Sequence, residues 1–251
     1  MSYTVSGKGI VLKSYDYGHG HRIVVIYTPF EGKIKASAKG SRKTKSRYAA
    51  LLEPFSENKF MLYRKPGNEL YTITGCFPLE ANMQLREDMK LFGYASLMLE
   101  GLDILSADHD PDRRIYSLLL EFMKELKYKK NSSCVWLFLF RLLKYSGYRL
   151  NMFSCVQCAK KADQKMLFIP REGGVGCIKC FSGEKNCIPV SVEALSEIRK
   201  LNPERVAGRE IQREIGNIIA KFVEYHFNRD FKSFNFISLF DRAEDKCTFR
   251  N

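Results

Sequence analysis

Four of the eight cysteines in the 251-residue chain form two Cys-x-x-Cys pairs. Cys155 and Cys158 make the first pair and Cys177 and Cys180 the second, with 18 residues between the pairs. That interval is typical of structural zinc sites. One tight turn can present both sulfurs of a pair about 2.3 Å from one ion, and two such turns complete a tetrahedron. The spacing therefore predicts one zinc ion held by these four cysteines.

Free thiols and a redox-active pair are the alternative interpretations of these cysteines. Four thiolates leave no open coordination position, so we expect a structural rather than a catalytic zinc. A zinc deaminase is excluded, because it needs a His-x-Glu motif and a proline before one Cys-x-x-Cys pair. Here Ser154 precedes Cys155, and none of the four histidines lies in His-x-Glu. Cys187 is interpreted as a buried thiol outside the site.

A basic segment at residues 33–47 could bind phosphates. It contains seven cations and no acidic residue in fifteen positions. A solvated surface usually mixes charges of both signs, so an unmixed cluster favours a polyanion as partner. Small hydroxyl residues among the cations could add contacts to a phosphodiester backbone. The predicted nucleic-acid-binding residues are Lys33, Lys35, Lys39, Arg42, Lys43, Lys45 and Arg47.

Aromatic residues near this segment could stack on unpaired bases, as in proteins that bind single strands without sequence preference. Most of them are expected to belong instead to the core of the N-terminal module. The candidates are Tyr15, Tyr17, Tyr27, Phe30 and Tyr48.

The sequence contains no recognisable catalytic motif, so we expect a protein that is not an enzyme. It has neither a Walker-type phosphate loop nor a Gly-x-Ser-x-Gly elbow. His19 and His21 lie in a glycine-rich turn and are interpreted as exposed residues without a metal. Glu53 is interpreted as a structural partner of an arginine or lysine.

The elements that must position these residues fall into two parts. Residues 1–80 contain five short β-rich runs with turns between them, which fits an OB-fold barrel and also an SH3-like barrel. Residues 81–251 show helical periodicity near 85–105, 112–128, 134–145, 192–201 and 210–227. A cysteine-rich module at 153–188, with a β-hairpin between its pairs, interrupts these helices. The fold class predicted is α+β, an N-terminal barrel followed by a helical domain with an inserted zinc ribbon.

Charge is the unusual bulk property of this chain. The formal net charge is +13 and the isoelectric point is near 9.3, which favours nucleic acid or an anionic membrane surface as partner. No apolar run is long enough to span a bilayer, and the N-terminus lacks the apolar core of a signal peptide. Cysteines in a chain without an export signal indicate a reducing compartment, so we expect a cytoplasmic protein.

The ordered motifs resemble those of a known family, the bacterial DNA repair and recombination mediators called RecO. The resemblance covers nearly the whole chain and includes both cysteine pairs. Its other motifs are Gly9-Ile10-Val11-Leu12-Lys13, Arg22-Ile23-Val24, Gly32-Lys33-Ile34, Ala38-Lys39-Gly40, Leu52-Glu53-Pro54-Phe55 and Leu142-Leu143-Lys144-Tyr145-Ser146-Gly147-Tyr148.

The resemblance implies an OB-fold, a zinc-bearing helical domain and a nucleoid-associated role in bacteria. It implies binding of single- and double-stranded DNA and annealing of strands coated by single-stranded DNA-binding protein. It also implies action with RecR to help load RecA, and binding of the acidic tail of single-stranded DNA-binding protein. Arg141, Lys144 and Arg149 are candidates for that last contact. From the residues alone, a zinc-ribbon transcription factor or other nucleic-acid-binding regulator remains the alternative.

Overall fold

A computed structural model of the chain describes residues 3–41, 48–200 and 208–237. The chain divides into two compact units, one of residues 1–92 with 105–120 and the other of 93–104 with 121–251. The first unit is built around a β-sheet and the second around helices. The α+β class predicted from the sequence is therefore confirmed.

The first unit contains a closed five-stranded barrel in the strand order β1-β2-β3-β5-β4. Strands β3 and β5 are parallel, and the other neighbouring strands are antiparallel. This is the topology of an OB-fold, which decides between the two barrels that fit the sequence. The strands are β1 (Tyr3–Tyr17), β2 (His21–Thr28), β3 (Gly32–Ala38), β4 (Glu57–Arg64) and β5 (Tyr71–Glu80).

Strand β1 is fifteen residues long and closes the barrel, because it pairs with two different strands. Its first half, Tyr3 to Ile10, pairs with β4, and its second half, Ile10 to Tyr17, pairs with β2. The register shifts between Val11 and Lys13, where the strand bends from one partner to the other. Sequence periodicity predicted only the second half, because the first half is mostly exposed and polar.

Two arginines hold the turn between β3 and β4. Arg22 on β2 donates from Nη1 to Glu53 Oε1 at 2.7 Å, which confirms that this carboxylate is a structural partner. Arg86 donates to the carbonyl oxygens of Glu53 and Pro54 and to Ser56 Oγ at 2.6–3.3 Å. Phe55 between them is buried with a φ of +74°. Such backbone is costly for a non-glycine residue, so the arginine contacts stabilise a strained turn.

Helices form most of the second unit and part of the first. Helix α3 (Arg113–Lys129) begins after Asp112, whose Oδ1 accepts the Arg114 N–H at 2.7 Å and so caps the helix N-terminus. Helix α4 is buried along most of its length, in keeping with its apolar sequence. The helices are α1 (Gln84–Glu87), α2 (Met89–Leu105), α3 (Arg113–Lys129), α4 (Ser133–Tyr145), α5 (Val192–Lys200) and α6 (Arg209–Phe227). Within the described ranges, no helix is both long and apolar enough to cross a membrane.

Replacing Arg86 tests the importance of the turn clamp. We expect Arg86→Ala to lower the free energy of unfolding by about 2 kcal/mol, because it leaves several half-buried oxygen acceptors without a donor. Urea denaturation measures the change. Lys65→Ala, at an exposed position of the same unit, is the control and should shift stability by less than about 0.5 kcal/mol. Equal effects of the two substitutions would contradict the clamp.

Candidate metal centre and nucleic-acid interface

The four predicted cysteine ligands converge on one point in the second unit. The Sγ atoms of Cys155, Cys158, Cys177 and Cys180 all lie within 4.8 Å of one another. The Sγ atoms of Cys158 and Cys177 are 3.8 Å apart. Thiolates about 2.3 Å from a tetrahedral ion lie about 3.8 Å apart, whereas sulfurs in a disulfide lie about 2.05 Å apart. The cluster therefore fits a metal ion and not a pair of disulfides.

Backbone hydrogen bonds shape the two cysteine turns. The N–H of Ala159 donates to the carbonyl of Cys155 at 2.9 Å, and the N–H of Cys180 donates to that of Cys177 at 3.0 Å. The Cys177 N–H donates to Cys155 Sγ at 3.3 Å, which links one turn to the other. Backbone N–H donors to a sulfur stabilise its thiolate form. The turns are thus built to present charged sulfurs to a cation.

A small sheet braces the cysteine turns. Strands β6 (Met166–Ile169) and β7 (Gly174–Gly176) form the predicted hairpin between the cysteine pairs. A third strand, β8 (Ile188–Val190), adds to the other edge of β6. This strand escaped prediction because three residues are too few to show a periodic pattern.

Gly176 allows close packing directly before the second cysteine turn. A Cβ atom at this position would lie 2.3 Å from the ring of Phe181, which is buried. A side chain here would have to displace that ring. Glycine is therefore needed where the β7 backbone passes the phenylalanine that follows Cys180.

Hydrogen bonds within the cluster shift the pKa values of its thiols in opposite directions. Burial raises the pKa of Cys155, but backbone N–H groups of Cys158, Cys177 and Gln157 outweigh burial and lower the pKa to about 6. Hydrogen bonding to the Cys177 side chain and then to that of Cys158 raises the pKa of Cys180 to about 12. A divalent ion would stabilise all four thiolates.

The remaining described cysteines lie outside the cluster. Cys187 is half-buried, and its Sγ donates to the carbonyl of Glu184 at 3.1 Å. Cys76 and Cys134 are buried, and burial raises the pKa of each thiol, to about 12 and about 11 respectively. Cys76 and Cys134 are therefore protonated, inert thiols at neutral pH. Cys247 lies outside the described residues.

Three of the seven predicted nucleic-acid-binding cations lie on or directly after β3. Lys33 is mostly buried, and its Nζ lies 3.2 Å from Asp108 Oδ1. Lys35 is exposed and lies 3.5 Å from the other oxygen of that carboxylate. Lys39 is exposed just beyond the strand. Arg42, Lys43, Lys45 and Arg47 lie outside the described residues.

Asp108 was not predicted as part of this region. Burial raises the pKa of Asp108, but the hydrogen bond and charge of Lys33 and the charge of Lys35 outweigh burial and lower the pKa. The carboxylate is thus ionised at neutral pH and cancels one of the positive charges on β3. Sequence spacing offers no signal for this contact, because 73 residues separate Asp108 from Lys35.

His21 connects the β1–β2 hairpin to Gly40, in the middle of the basic segment. The N–H of Gly40 donates to His21 Nδ1 at 3.1 Å. The hydroxyl of Ser41, which is fully buried, donates to the carbonyl of Ala38 at 2.9 Å. The predicted role of His21 as an exposed, idle residue is therefore wrong, because it is half-buried and bonded to this backbone. Both contacts anchor the chain immediately before residues 42–47.

The five aromatic candidates differ in how far they are exposed to solvent. Tyr27 is fully buried, Tyr48 packs against the barrel core, and the Phe30 ring covers Gly7. Tyr15 and Tyr17 are exposed near the end of β1, and Tyr17 pairs with His21 in the hairpin. The exposed rings of Tyr15 and Tyr17 thus lie on the hairpin that contacts Gly40, which follows the end of β3 within the basic segment.

Two family models together match most of the chain. The model described as "Recombination protein O N terminal" matches residues 1–82, and that described as "Recombination protein O C terminal" matches residues 86–234. Curated proteins named "DNA repair protein RecO" are similar over the same range. The relative from Alkaliphilus metalliredigens is 31% identical over 241 residues, which cover 90% of this chain and 94% of that protein.

Two further relatives with that name show the same extent of similarity. The protein from Acetivibrio thermocellus is 26% identical over 256 residues, covering 98% of this chain and all of that protein. The protein from Bacillus pumilus is 31% identical over 197 residues, covering 78% of this chain and 75% of that protein.

Removing one cysteine of the cluster tests the metal centre. We expect the purified chain to contain about one metal ion and the Cys158→Ser variant to contain almost none, because three thiolates bind far more weakly than a closed set of four. Elemental mass spectrometry measures the metal content. Cys187→Ser is the matched control and should keep the ion. Retention of the metal by the Cys158 variant would contradict the assigned ligand set.

Proposed function

Because this chain belongs to the RecO family, and its role therefore lies in DNA repair and recombination, we propose that it is a recombination mediator. In this proposal it binds single- and double-stranded DNA and anneals complementary strands. With RecR, it helps load RecA onto DNA coated by single-stranded DNA-binding protein. The observation that carries the proposal, beside the family membership, is the His21–Gly40 contact, which joins the chain that follows exposed Lys39 to the hairpin that carries the exposed rings of Tyr15 and Tyr17.

The proposed DNA surface combines β3 and the β1–β2 hairpin, and the cations of residues 42–47 follow β3 in the sequence. Tyr15 and Tyr17 offer rings for stacking with unpaired bases, while Lys35 and Lys39 offer charges for phosphates. The contact of His21 with Gly40 links these two groups. Arg42, Lys43, Lys45 and Arg47 extend the positive charge along the chain. Lys33 contributes by holding Asp108 in an ion pair.

Annealing by this surface requires no covalent step. Two DNA strands repel each other through their phosphates, and cations that neutralise one strand lower this repulsion. The contacts are with phosphates and base faces, so they act on any sequence. Strands held in this way keep their base edges free to pair. No general acid, general base or nucleophile is needed, and the protein acts as a binding mediator.

Zinc is the metal proposed for the cysteine cluster. Four thiolates arranged as a tetrahedron favour zinc or iron over harder ions, and zinc in such a closed site is structural. Cys155, Cys158, Cys177 and Cys180 would hold the ion, which would join two turns separated by 18 residues. Metal analysis distinguishes zinc from iron.

The second unit also offers candidate contacts for protein partners. Lys144 and Arg149 are exposed, whereas Arg141 lies 3.5 Å from Glu121 and above the Phe122 ring. These cations are proposed to receive the acidic tail of single-stranded DNA-binding protein. Action with RecR, and indirectly with RecA, would place the chain in the bacterial cytoplasm at the nucleoid.

A strand-annealing assay tests the proposed function. Two complementary oligonucleotides are coated with single-stranded DNA-binding protein and mixed with and without this chain, in the absence of ATP. We expect the chain to accelerate duplex formation. DNA binding without acceleration would reject the annealing activity, and no binding to either DNA form would reject the whole proposal.

Reversing the cations beyond β3 should weaken DNA binding. The variant carries Arg42→Glu, Lys43→Glu, Lys45→Glu and Arg47→Glu. Loss of about four phosphate contacts should lower affinity at least tenfold and flatten its dependence on salt. Fluorescence anisotropy across a salt series measures both quantities. The matched control reverses four exposed lysines elsewhere, with the same change in net charge: Lys8, Lys59, Lys124 and Lys130. Equal losses in both variants would show that only net charge matters.

Removing the charge of Asp108 should strengthen DNA binding, whereas the cation reversals should weaken it. Asp108→Asn removes the charge that pairs with Lys33 and Lys35, so we expect DNA affinity to rise severalfold and the salt slope to steepen by about one. The pKa of Asp108 is lowered in the folded chain, so the pair contributes stability at neutral pH that is lost only as pH falls through that lowered pKa. Unchanged affinity in the same anisotropy assay would place β3 outside the DNA surface.

A further inference from the structure

We propose that the cysteine module, residues 153–188, carries a second binding surface for single-stranded DNA. On this surface one unpaired base stacks on Phe153, while Lys160, Lys161 and Lys179 contact the neighbouring phosphates. The inference rests on the proposed DNA-binding function and adds a site to it. The argument starts from Phe153, whose exposure is unusual for its residue type.

Phe153 is a rigidly held aromatic residue that faces solvent. Its side chain is 64% exposed, whereas phenylalanine is normally among the buried residues. Its N–H donates to Asn151 Oδ1 at 3.1 Å, and its carbonyl accepts the Ala162 N–H at 2.9 Å. The backbone on either side of the ring is therefore fixed. A large apolar ring held in water loses the benefit of burial, which an incoming base would restore.

An arginine positions the Phe153 ring. The guanidinium carbon of Arg199 lies 5.6 Å from the ring centroid. This guanidinium is itself held, because it donates to the carbonyls of Met152 and Ala162 at 2.6–2.9 Å. A cation over an aromatic face stabilises the ring in one orientation. Pre-ordering of this kind reduces the entropy lost when a base stacks on the exposed side.

Two lysines lie beside Phe153 in the first cysteine turn. Ser154 forms an antiparallel bridge with Lys161, and the N–H of Cys155 donates to the carbonyl of Lys160 at 2.8 Å. Both lysine side chains are exposed. The chain thus doubles back so that these cations flank the aromatic residue. An aromatic platform next to cations is the arrangement found in proteins that bind single strands.

The four-cysteine cluster connects the turn that carries Lys179 to the turn that carries Lys160 and Lys161. Lys179 lies in the second turn, between Cys177 and Cys180, and is exposed. The four Sγ atoms lie within 4.8 Å of one another, so the two turns have a fixed separation. A strand with one base on Phe153 could therefore meet cations from both turns.

Basic side chains outnumber acidic ones in the module by six to three, and most of the acidic ones are paired. Arg171 lies 3.0 Å from Glu172 and 3.7 Å from Glu184, so one arginine engages two of the three acids. Asp163 is the remaining acid. Within the described ranges, none of the module's lysines forms an ion pair with these acids. The lysines are Lys160, Lys161, Lys165, Lys179 and Lys185.

Stacking predicts a preference for single strands over duplex. The bases of a duplex are already stacked, whereas a single strand offers exposed base faces to an aromatic ring. An acidic peptide is the competing ligand that the same cations could attract, and the experiment separates the two.

Substitution of Phe153 tests the stacking contact. We expect Phe153→Ala to lower affinity for a single-stranded oligothymidine by about tenfold and to change duplex affinity less than twofold, measured by anisotropy with full-length chains of verified metal content. Tyr128→Ala removes an even more exposed ring on α3 and should leave both affinities unchanged. Phe153→Trp should keep single-strand binding. DNA should quench the fluorescence of the new tryptophan, because a base would stack on it. The one native tryptophan, Trp136, is buried and should respond little.

Charge reversal tests the phosphate contacts separately. Lys160→Glu with Lys161→Glu should lower single-strand affinity about tenfold and flatten its salt dependence. Reversal of the exposed pair Lys124 and Lys130 changes net charge equally and should have much less effect.

The outcomes distinguish this inference from the proposed function. If Phe153→Ala binds single strands like the unmodified chain while the four reversals at 42–47 weaken binding, the module surface is rejected and the DNA function stands. If the unmodified chain binds no DNA, the proposed function itself fails. If Phe153→Ala weakens binding of an acidic peptide and leaves DNA binding intact, the surface takes protein, which overturns the inference.

Discussion

The pairing of β1 with two strands is the constraint on which the first unit depends. An open sheet would leave two edges with unpaired backbone groups, and the bend after Val11 lets one strand satisfy both β4 and β2. Closure encloses a core that includes Ile26, Ile34 and Phe60. It also fixes the hairpin after β1 beside the end of β3, where His21 accepts the Gly40 N–H. The proposed DNA surface is therefore a consequence of barrel closure.

The cysteine module uses a different source of stability. Its three strands have only four, three and three residues, and sheets this small are marginal in water without additional constraints. Four sulfurs within 4.8 Å of one another provide a site for an ion that joins both turns. Since the turns carry their own exposed lysines and lie beside Phe153, the same cross-link would order a binding surface as well as a fold.

Charge is distributed so that most acidic residues near the proposed surfaces are already engaged. Asp108 lies against Lys33 and Lys35, Glu53 against Arg22, and Arg171 lies between Glu172 and Glu184. Exposed lysines without such partners then carry the positive potential that a polyanion meets. This arrangement suits the proposed role of holding DNA strands without a covalent step.

The sequence by itself determined which four cysteines could share a metal ion, the α+β class and the main helices, because each depends on local spacing or periodicity. Cysteines with two residues between them can share an ion wherever the turn lies, and apolar periodicity of 3.6 residues predicts a helix without knowledge of its neighbours. Only the tertiary structure decided the OB topology, the pairing of Asp108 with β3, the contact of His21 with Gly40, and the position of Phe153 beside Arg199. The side-chain contacts among these features join residues between 19 and 75 positions apart, and they form because barrel closure and helix packing bring distant segments together.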